Sequence, residues 1–233
     1  MIDDSYSKAL LHMDGADTST TFTDESGKTW TARGTAQIDT AQSVFGGASG
    51  LFDGNSDWID TPDHDDWYLD DGSNANAWTF DARIRFASVD VIQGLISQHV
   101  GVGNYWHIKY TNSSGIGFIL RESGTVTVDV SWAWSPSINT WYHVAVVKQG
   151  TTGYRCYIDG TEIGAAQTDE SVMPNQAAIL WIGLSSDASS NMRYFNGWMD
   201  EVRVSKGIAR WTANFTPQTY AYGRGGGFMM FSS

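Results

Sequence analysis

Asp200 stands where a carboxylate needs a partner. Residues 197–204 (GWMDEVRV) have the two-residue alternation of a strand, which predicts that Asp200 shares one face with three apolar side chains, those of Trp198, Val202 and Val204. An ionised carboxylate in an apolar row is unfavourable unless a cation pairs with it. The alternation therefore predicts a partner for Asp200, either an arginine such as Arg203 or Arg210 or a metal ion.

Acidic residues near the N-terminus could contribute to the same kind of site. Asp14 ends a strand-like run, and Asp24 follows after a loop, within residues 23–27 (TDESG). Such loops suit Ca²⁺, which accepts about six to eight oxygens from carboxylates and backbone carbonyls. The alternative is that Asp14 caps a turn. A further acidic cluster, residues 63–66 (DHDD), is typical of a solvated loop, with a second cation site as the alternative.

Other reactive groups lack a matching motif. The five histidines do not show the His-x-His or His-Glu-x-x-His spacing of a zinc site, and no Gly-x-Ser-x-Gly elbow of a serine hydrolase is present. The single cysteine, Cys156, lies in a strand-like run, and we interpret it as a small core residue rather than a reactive thiol.

Aromatic side chains are the other candidates for ligand binding, because sugar rings pack on aromatic faces beside polar groups. Strand-like positions predict core roles for five tryptophans, Trp30, Trp78, Trp141, Trp181 and Trp198. Other aromatic residues lie nearer loops and polar side chains. Among these, four residues are predicted to border a ligand groove: Trp67, Tyr68, Trp106 and His107.

The elements that must position these residues are strands. In residues 77–86 (AWTFDARIRF) the apolar side chains alternate with polar ones, which predicts a half-buried strand. The same pattern recurs at residues 105–110, 117–121, 126–132, 141–148, 154–158, 179–183 and 198–204. Turn signals such as Asp159-Gly160 separate these runs and predict antiparallel sheets. Helix is expected only as a turn or two, around residues 206–211.

Composition supports an all-β protein and excludes some partners. Eleven Trp, ten Tyr, ten Phe and 25 Gly against four Pro are typical of aromatic-rich strands joined by glycine turns. The net charge of −12 argues against nucleic acid or an anionic membrane as a partner, because both require a surplus of Lys and Arg. No stretch approaches the roughly 18 apolar residues of a membrane-spanning helix.

Length and patterning favour one domain, residues 1–222, followed by a glycine-rich tail, residues 223–233 (GRGGGFMMFSS). The apolar end of this tail is a candidate contact for self-association or for another subunit, and packing back on its own domain is the alternative. The N-terminus shows no basic and apolar signal-peptide regions, so we expect synthesis in a cytoplasm without a cleavable signal.

Several segments resemble the laminin-G-like jelly-roll family of the concanavalin A-like lectin/glucanase superfamily, particularly its phage and environmental versions. They occur in the family's order along nearly the whole chain: residues 11–15 (LHMDG), 20–27 (TTFTDESG), 45–54 (FGGASGLFDG), 78–86 (WTFDARIRF), 140–148 (TWYHVAVVK), 157–160 (YIDG) and 195–206 (FNGWMDEVRVSK). The resemblance implies an all-β fold, a two-sheet antiparallel jelly-roll sandwich.

The resemblance also implies a structural Ca²⁺ between the N-terminal and C-terminal strands. Asp14 and Asp200 match the positions expected to supply side chains, and Asp24 is a weaker match. Related glucanases carry Glu-x-Asp-x-x-Glu or Glu-x-Asp-x-Glu on one strand, which places two carboxylates close enough for retaining hydrolysis. None of the five glutamates here lies in such a motif, so we expect a protein that is not an enzyme.

These observations predict a non-catalytic carbohydrate-binding or adhesion module. The fold is usually found outside cells, yet this chain shows neither a signal peptide nor disulfides. A phage virion surface protein, such as a capsid decoration protein or a fibre, would reconcile these observations. Its partners would be a glycan and other virion proteins. Two alternatives stay open. One is a glycoside hydrolase or accessory module of a secreted bacterial protein, and the other is a decoration protein that binds no sugar.

Overall fold

The computed structural model describes residues 4–187, 189 and 191–223. They form the predicted all-β sandwich, with 17 strands and two short 3₁₀ turns at Asp65–Trp67 and Gly150–Thr152. In chain order the strands are β1 (Ser7–Leu11), β2 (Thr31–Arg33), β3 (Gln37–Asp39), β4 (Ser49–Asp53), β5 (Trp58–Thr61), β6 (Trp78–Phe86), β7 (Gln93–Gly101), β8 (Asn104–Thr111), β9 (Gly115–Glu122), β10 (Thr125–Trp132), β11 (Trp141–Lys148), β12 (Tyr154–Ile158), β13 (Thr161–Glu162), β14 (Leu180–Ile182), β15 (Leu184–Ser186), β16 (Met192–Tyr194) and β17 (Asn196–Lys206).

Two large antiparallel sheets pack face to face. The eight-stranded sheet has the order β13-β12-β11-β6-β17-β4-β3, with β1 also paired to β17, and the seven-stranded sheet has the order β10-β9-β8-β7-β14-β5-β2. A separate hairpin, β15–β16, makes up a third, two-stranded sheet. Some sheet neighbours are consecutive in the chain, such as β7 to β10, whereas others are distant, and the N-terminal β1 pairs with the C-terminal β17.

The core lies between the two sheets, and β6 shows how the alternation produces it. Its five alternate apolar residues are all buried in this core: Trp78, Phe80, Ala82, Ile84 and Phe86. The predicted strands and the Asp159-Gly160 hairpin are confirmed. The helix expected at residues 206–211 is wrong: β17 continues to Lys206, and the chain then crosses the sheet as an irregular strap.

The strap, residues 207–222, covers the outer face of the eight-stranded sheet. The Tyr222 hydroxyl donates to the Asp81 carboxylate, and the Arg203 guanidinium lies 3.6 Å from the centre of the Tyr222 ring. His143 Nε2 lies 3.2 Å from the same hydroxyl. Tyr222 thus attaches the end of the strap to the eight-stranded sheet, whereas residues 224–233 of the predicted tail contact lie outside the described part of the chain.

A bulge in β17 corrects the prediction for Asp200. The register with β6 shifts between Asp200 and Arg203, and Glu201 has a φ of +51°. Val202 and Val204 therefore face the core, whereas Asp200 lies opposite Arg83 on the outer face of the sheet. The interpretation that Asp200 shares a face with the two valines was wrong, because one extra residue reverses the alternation.

Within residues 4–187, 189 and 191–223 there is no helix of the length and apolarity needed to cross a membrane.

Candidate functional site

Four rings stack one after another on the outer face of the seven-stranded sheet, and we term them the aromatic row: Trp181, His99, Tyr105 and His107. Trp181 and His99 have ring centroids 6.0 Å apart at an interplanar angle of 15°. His99 and Tyr105 are 5.5 Å apart at 17°, and Tyr105 and His107 are 5.2 Å apart at 24°. The row runs from β14 across β7 to β8.

Strand alternation and register create this row. In β8 the side chains of Trp106 and Ile108 enter the core, so Tyr105 and His107 project from the opposite face. Antiparallel pairing then sets Tyr105 beside His99 of β7. Trp181 of β14 and His107 of β8 both lie opposite Ser97 of β7, so the stacked rings pass around Ser97 from one to the other.

Several nitrogens of the row are buried without hydrogen bonds of normal geometry. They are both ring nitrogens of His107, Nε2 of His99 and Nε1 of Trp181. Such groups are rare in folded proteins, because each loses its hydrogen bonds to water. Burial lowers the pKa of His107 to about 3, the charge of Lys109 lowers it further, and the nearby Ser186 backbone raises it. The imidazole is therefore neutral, with one donor and one acceptor.

The β15–β16 hairpin, which we call the cover hairpin, lies over the His107 end of the row. β15 packs across β7 and β8, and Ser97 Oγ donates to the Leu184 carbonyl oxygen at 2.7 Å. Gly94 of β7 allows this close approach, since a Cβ there would lie 2.1 Å from Ser185 N. As a result His107 is 1% exposed and Tyr105 4% exposed.

The Trp181 end of the row is more open. Trp181 is half-buried, and Trp58 and Tyr194 form a second half-buried aromatic pair on the same face, with ring centroids 6.0 Å apart. Trp58 Nε1 donates to Asp60, whose carboxylate also accepts from the Arg33 guanidinium at 2.7 Å. This end therefore combines aromatic surface with the Arg33–Asp60 ion pair. Such a combination suits a ligand with a polar ring, such as a sugar.

The structure corrects most of the sequence-based ligand groove. Trp67 and Trp106 are each 1% exposed and lie in the core, so neither ring offers a face to a ligand. Tyr68 is half-buried beside Lys206, whose Nζ lies 5.7 Å from the ring centre. His107 alone of the four lies in the aromatic row. Alternation shows which residues share a face, but not which face the second sheet covers.

Conversely, the sequence assigned Trp141, Trp181 and Trp198 to the core, and all three are half-buried on outer faces. Trp198 Nε1 donates to Asp39 at 2.6 Å, and the Arg85 guanidinium lies 4.6 Å from its ring centre. For Trp181 the apolar residues on either side, Leu180 and Ile182, were the available signal, because they occupy the core face and leave the tryptophan on the opposite face.

Two residues of the predicted metal site, Asp14 and Asp200, lie close together. Where β17 changes partner from β4 to β1, Asp200 Oδ2 accepts from the amides of Val44 and Phe45 at 2.7 and 3.0 Å. Asp14 reaches the same place from the end of β1, and its carboxylate lies so close to Gly46 that a Cβ there would meet Oδ1 at 1.7 Å. The neighbouring Glu201 binds His12 Nδ1 through Oε1 at 2.6 Å.

Asp200 is the residue of this site that fits a cation. It is fully buried, and its Oδ1 has no hydrogen-bond partner. Burial raises the pKa of Asp200 to about 7; the amides of Phe45 and Val44 lower it, and the charges of Glu201 and Asp14 raise it. A bound cation would complement this charge. Within the described residues no group of three or more His, Cys, Asp or Glu side chains is arranged to hold a metal, so further ligands would be backbone oxygens or water.

Asp24 does not join this site. Its Oδ1 accepts from the amides of Leu10 and Ser26 at 3.0 and 2.7 Å, and its Oδ2 accepts from Trp30 Nε1 at 3.0 Å. The carboxylate therefore ties β1 to the following loop. In the acidic cluster at residues 63–66, Asp66 pairs with Lys28 at 2.7 Å. Within the described chain, the carboxylates of this cluster are not grouped in a way that could hold a metal ion.

Comparison with known families supports this architecture. Residues 53–210 match a laminin G family model described as the concanavalin A-like lectin/glucanases superfamily. A search of curated proteins found no significant match.

Solved structures share the fold at low identity. Domain 4 of AbnA, an extracellular GH43 arabinanase from Geobacillus stearothermophilus solved with arabinotriose, has a TM-score of 0.62 and 17% identity over 88% of this chain and 94% of that chain. A structure of botulinum neurotoxin type C, whose cell entry depends on interaction with two ganglioside molecules, has a TM-score of 0.60 and 12% identity over 87% of this chain and 48% of the toxin chain. The binding domain of botulinum neurotoxin DC, in complex with rat synaptotagmin II, has a TM-score of 0.61 and 14% identity over 89% and 50%. This chain thus spans about half the length of the toxin chains it matches.

Proposed function

This chain belongs to the concanavalin A-like lectin/glucanase superfamily, and we propose that it is a non-catalytic carbohydrate-binding module that uses the outer face of its seven-stranded sheet. The aromatic row carries this proposal. It combines stacked rings with imidazole and indole nitrogens that lack side-chain hydrogen-bond partners. The complex of the arabinanase domain with arabinotriose and the dependence of the toxin on gangliosides are consistent with this function, at a level of similarity that establishes the fold alone.

A glycan array tests the proposal, followed by titration calorimetry of any glycan that binds. Trp181→Ala should weaken binding at least about tenfold, because it removes the open aromatic surface and its Nε1 donor. Trp141→Ala is the matched control, since Trp141 is half-buried on the other sheet, opposite Arg85. Equal loss in both variants, or no glycan bound by the wild type, would contradict the proposal.

We also propose that Ca²⁺ binds between Asp14 and Asp200 and joins β1 and β4 to β17. The buried, unpaired Oδ1 of Asp200 supports this, as does the concentration of acidic groups around it. An adjacent cavity of about 190 Å³ is lined by His12, Asp14, Thr23 and Glu25. When bound, the ion would supply positive charge and further coordination for the Asp200 carboxylate; its role is structural, because it lies on the other sheet from the aromatic row.

The biological setting that we propose is a phage particle surface, on which the module binds cell-surface or environmental glycans. The support is the resemblance of the chain's motifs to phage-borne laminin-G-like domains. Mass spectrometry of purified particles from a phage that encodes the chain would detect it among the virion proteins. Presence in the particle together with an empty glycan array would instead favour a purely structural decoration protein.

A further inference from the structure

We infer that His107 and Tyr105 form the inner subsite of the aromatic row, a buried site for the hydroxyl groups of a sugar, and that the cover hairpin must move aside to admit them. This inference rests on the proposed carbohydrate function and adds to it a specific residue and a conformational step. The outward positions of β7 and β8 carry two histidines and a tyrosine, and Tyr105 and His107 are buried beneath the cover hairpin.

The chemistry of the subsite selects a neutral polyol. A neutral imidazole offers one N–H donor and one acceptor, and a sugar hydroxyl can both accept and donate. The stacking leaves the ring edges, which carry the nitrogens, as the surface available to a ligand. Lys109 lies nearby on β8 and Asp187 follows β15; their opposite charges both act on His107, so the subsite has no strong preference for an ionic ligand.

Access to this subsite requires movement of the cover hairpin. β15 and β16 pair with each other and not with either large sheet. Besides the hydrogen bond from Ser97 Oγ to the Leu184 carbonyl oxygen, the hairpin contacts the row through the backbone of Ser186 and Asp187, which faces His107 and His99, and its displacement leaves the seven-stranded sheet intact. The ring nitrogens of His107 then exchange this backbone neighbour for the hydroxyl groups of a ligand.

Carbethoxylation with diethylpyrocarbonate, read by mass spectrometry on the full chain, tests the opening without any ligand. His143 is the internal control: it is as buried as His107 and its Nδ1 also has no hydrogen-bond partner, but it lies beneath the strap, where its Nε2 contacts Asp81 and Tyr222. His107 should react at least about tenfold faster than His143, because local opening needs less free energy than global unfolding. Equal rates, each normalised to the unfolded chain, would overturn the inference.

Hydrogen exchange supplies a second measurement that does not depend on histidine reactivity. The amides of Leu184–Ser186 should exchange faster than those of Trp141–Lys148, which form a central strand of the other sheet. Equal protection of the two strands would contradict an opening of the hairpin.

Gly94→Ala tests the role of the hairpin directly. The added Cβ would lie 2.1 Å from Ser185 N, so the hairpin must shift, whereas Gly101→Ala on the same strand meets nothing within 4 Å. Gly94→Ala should raise the reaction rate of His107 relative to His143, and Gly101→Ala should not. No change in Gly94→Ala would overturn the role assigned to the hairpin.

Ligand protection separates this inference from the proposed function. Arabinotriose, cellotriose and maltotriose at millimolar concentration are the probes, and a trisaccharide that binds should slow the reaction of His107. If a trisaccharide binds, and Trp181→Ala abolishes its binding, but His107 reacts at an unchanged rate, the carbohydrate function stands and the inner subsite is refuted. If no glycan on the array binds, the function itself fails, whatever the rate at His107.

Discussion

Replacing His107 by Phe should stabilise the protein and impair glycan binding. Phe keeps a flat ring at this position but removes two nitrogens that have no hydrogen bonds of normal geometry. A buried unsatisfied polar group costs about 1–3 kcal/mol, so the free energy of unfolding near neutral pH should rise by an amount in this range. For a chain of this size that is a rise of roughly 2–10 °C in Tm.

The gain should grow as the pH falls, because the pKa of His107 is lowered to about 3 in the folded protein from 6.5. Between those values the unfolded chain binds a proton that the folded chain does not, so His107 makes the wild type less stable towards acid and has no such effect above about pH 6.5. At about pH 4 the additional advantage of His107→Phe is about 3 kcal/mol, at about 1.4 kcal/mol per pH unit.

Denaturant unfolding of both proteins from pH 7 to pH 4 measures this difference. His64→Phe is the control, since its side chain is 55% exposed and the same change there should show no such growth. Calorimetry with a glycan found on the array should show affinity reduced about tenfold or more in His107→Phe, because the hydroxyl partners are lost. A stability difference that stays constant with pH would refute the neutral, desolvated imidazole, and unchanged affinity would refute its contact with sugar.

Three further predictions concern stability and reactivity. EDTA should lower the Tm of the wild type but leave that of Asp200→Asn unchanged, as measured by scanning fluorimetry, because only the carboxylate binds Ca²⁺; an equal shift in both proteins would place the ion elsewhere. Lys148→Met should lower the free energy of unfolding by about 3–5 kcal/mol in denaturant titrations, since it leaves the fully buried Asp70 without its ion-pair partner at 3.0 Å, and adding Asp70→Asn should recover part of the loss. Cys156 should resist iodoacetamide until the chain unfolds, because it is fully buried and burial raises the pKa of its thiol; rapid labelling of the native protein would contradict its core position.

The local sequence pattern was sufficient for the strands, and the resemblance to the family supplied their arrangement as a two-sheet sandwich. Side chains of a strand alternate between two faces whatever the rest of the chain does, so the apolar face of β6 and the boundaries of β11 and β12 followed from local pattern. Glycine in a turn is equally local: the Asp159-Gly160 hairpin has positive φ at both residues, as such turns require.

The site depended on information that is not local. A single extra residue at Glu201 reversed the faces of β17 and moved Asp200 away from Val202 and Val204. Trp67 and Trp106 entered the core while Trp181 remained half-buried outside it, because the position of the second sheet decides which face is inward. The aromatic row itself joins residues of three strands, and register between strands distant in the chain, set by packing and not by pattern, brought them together.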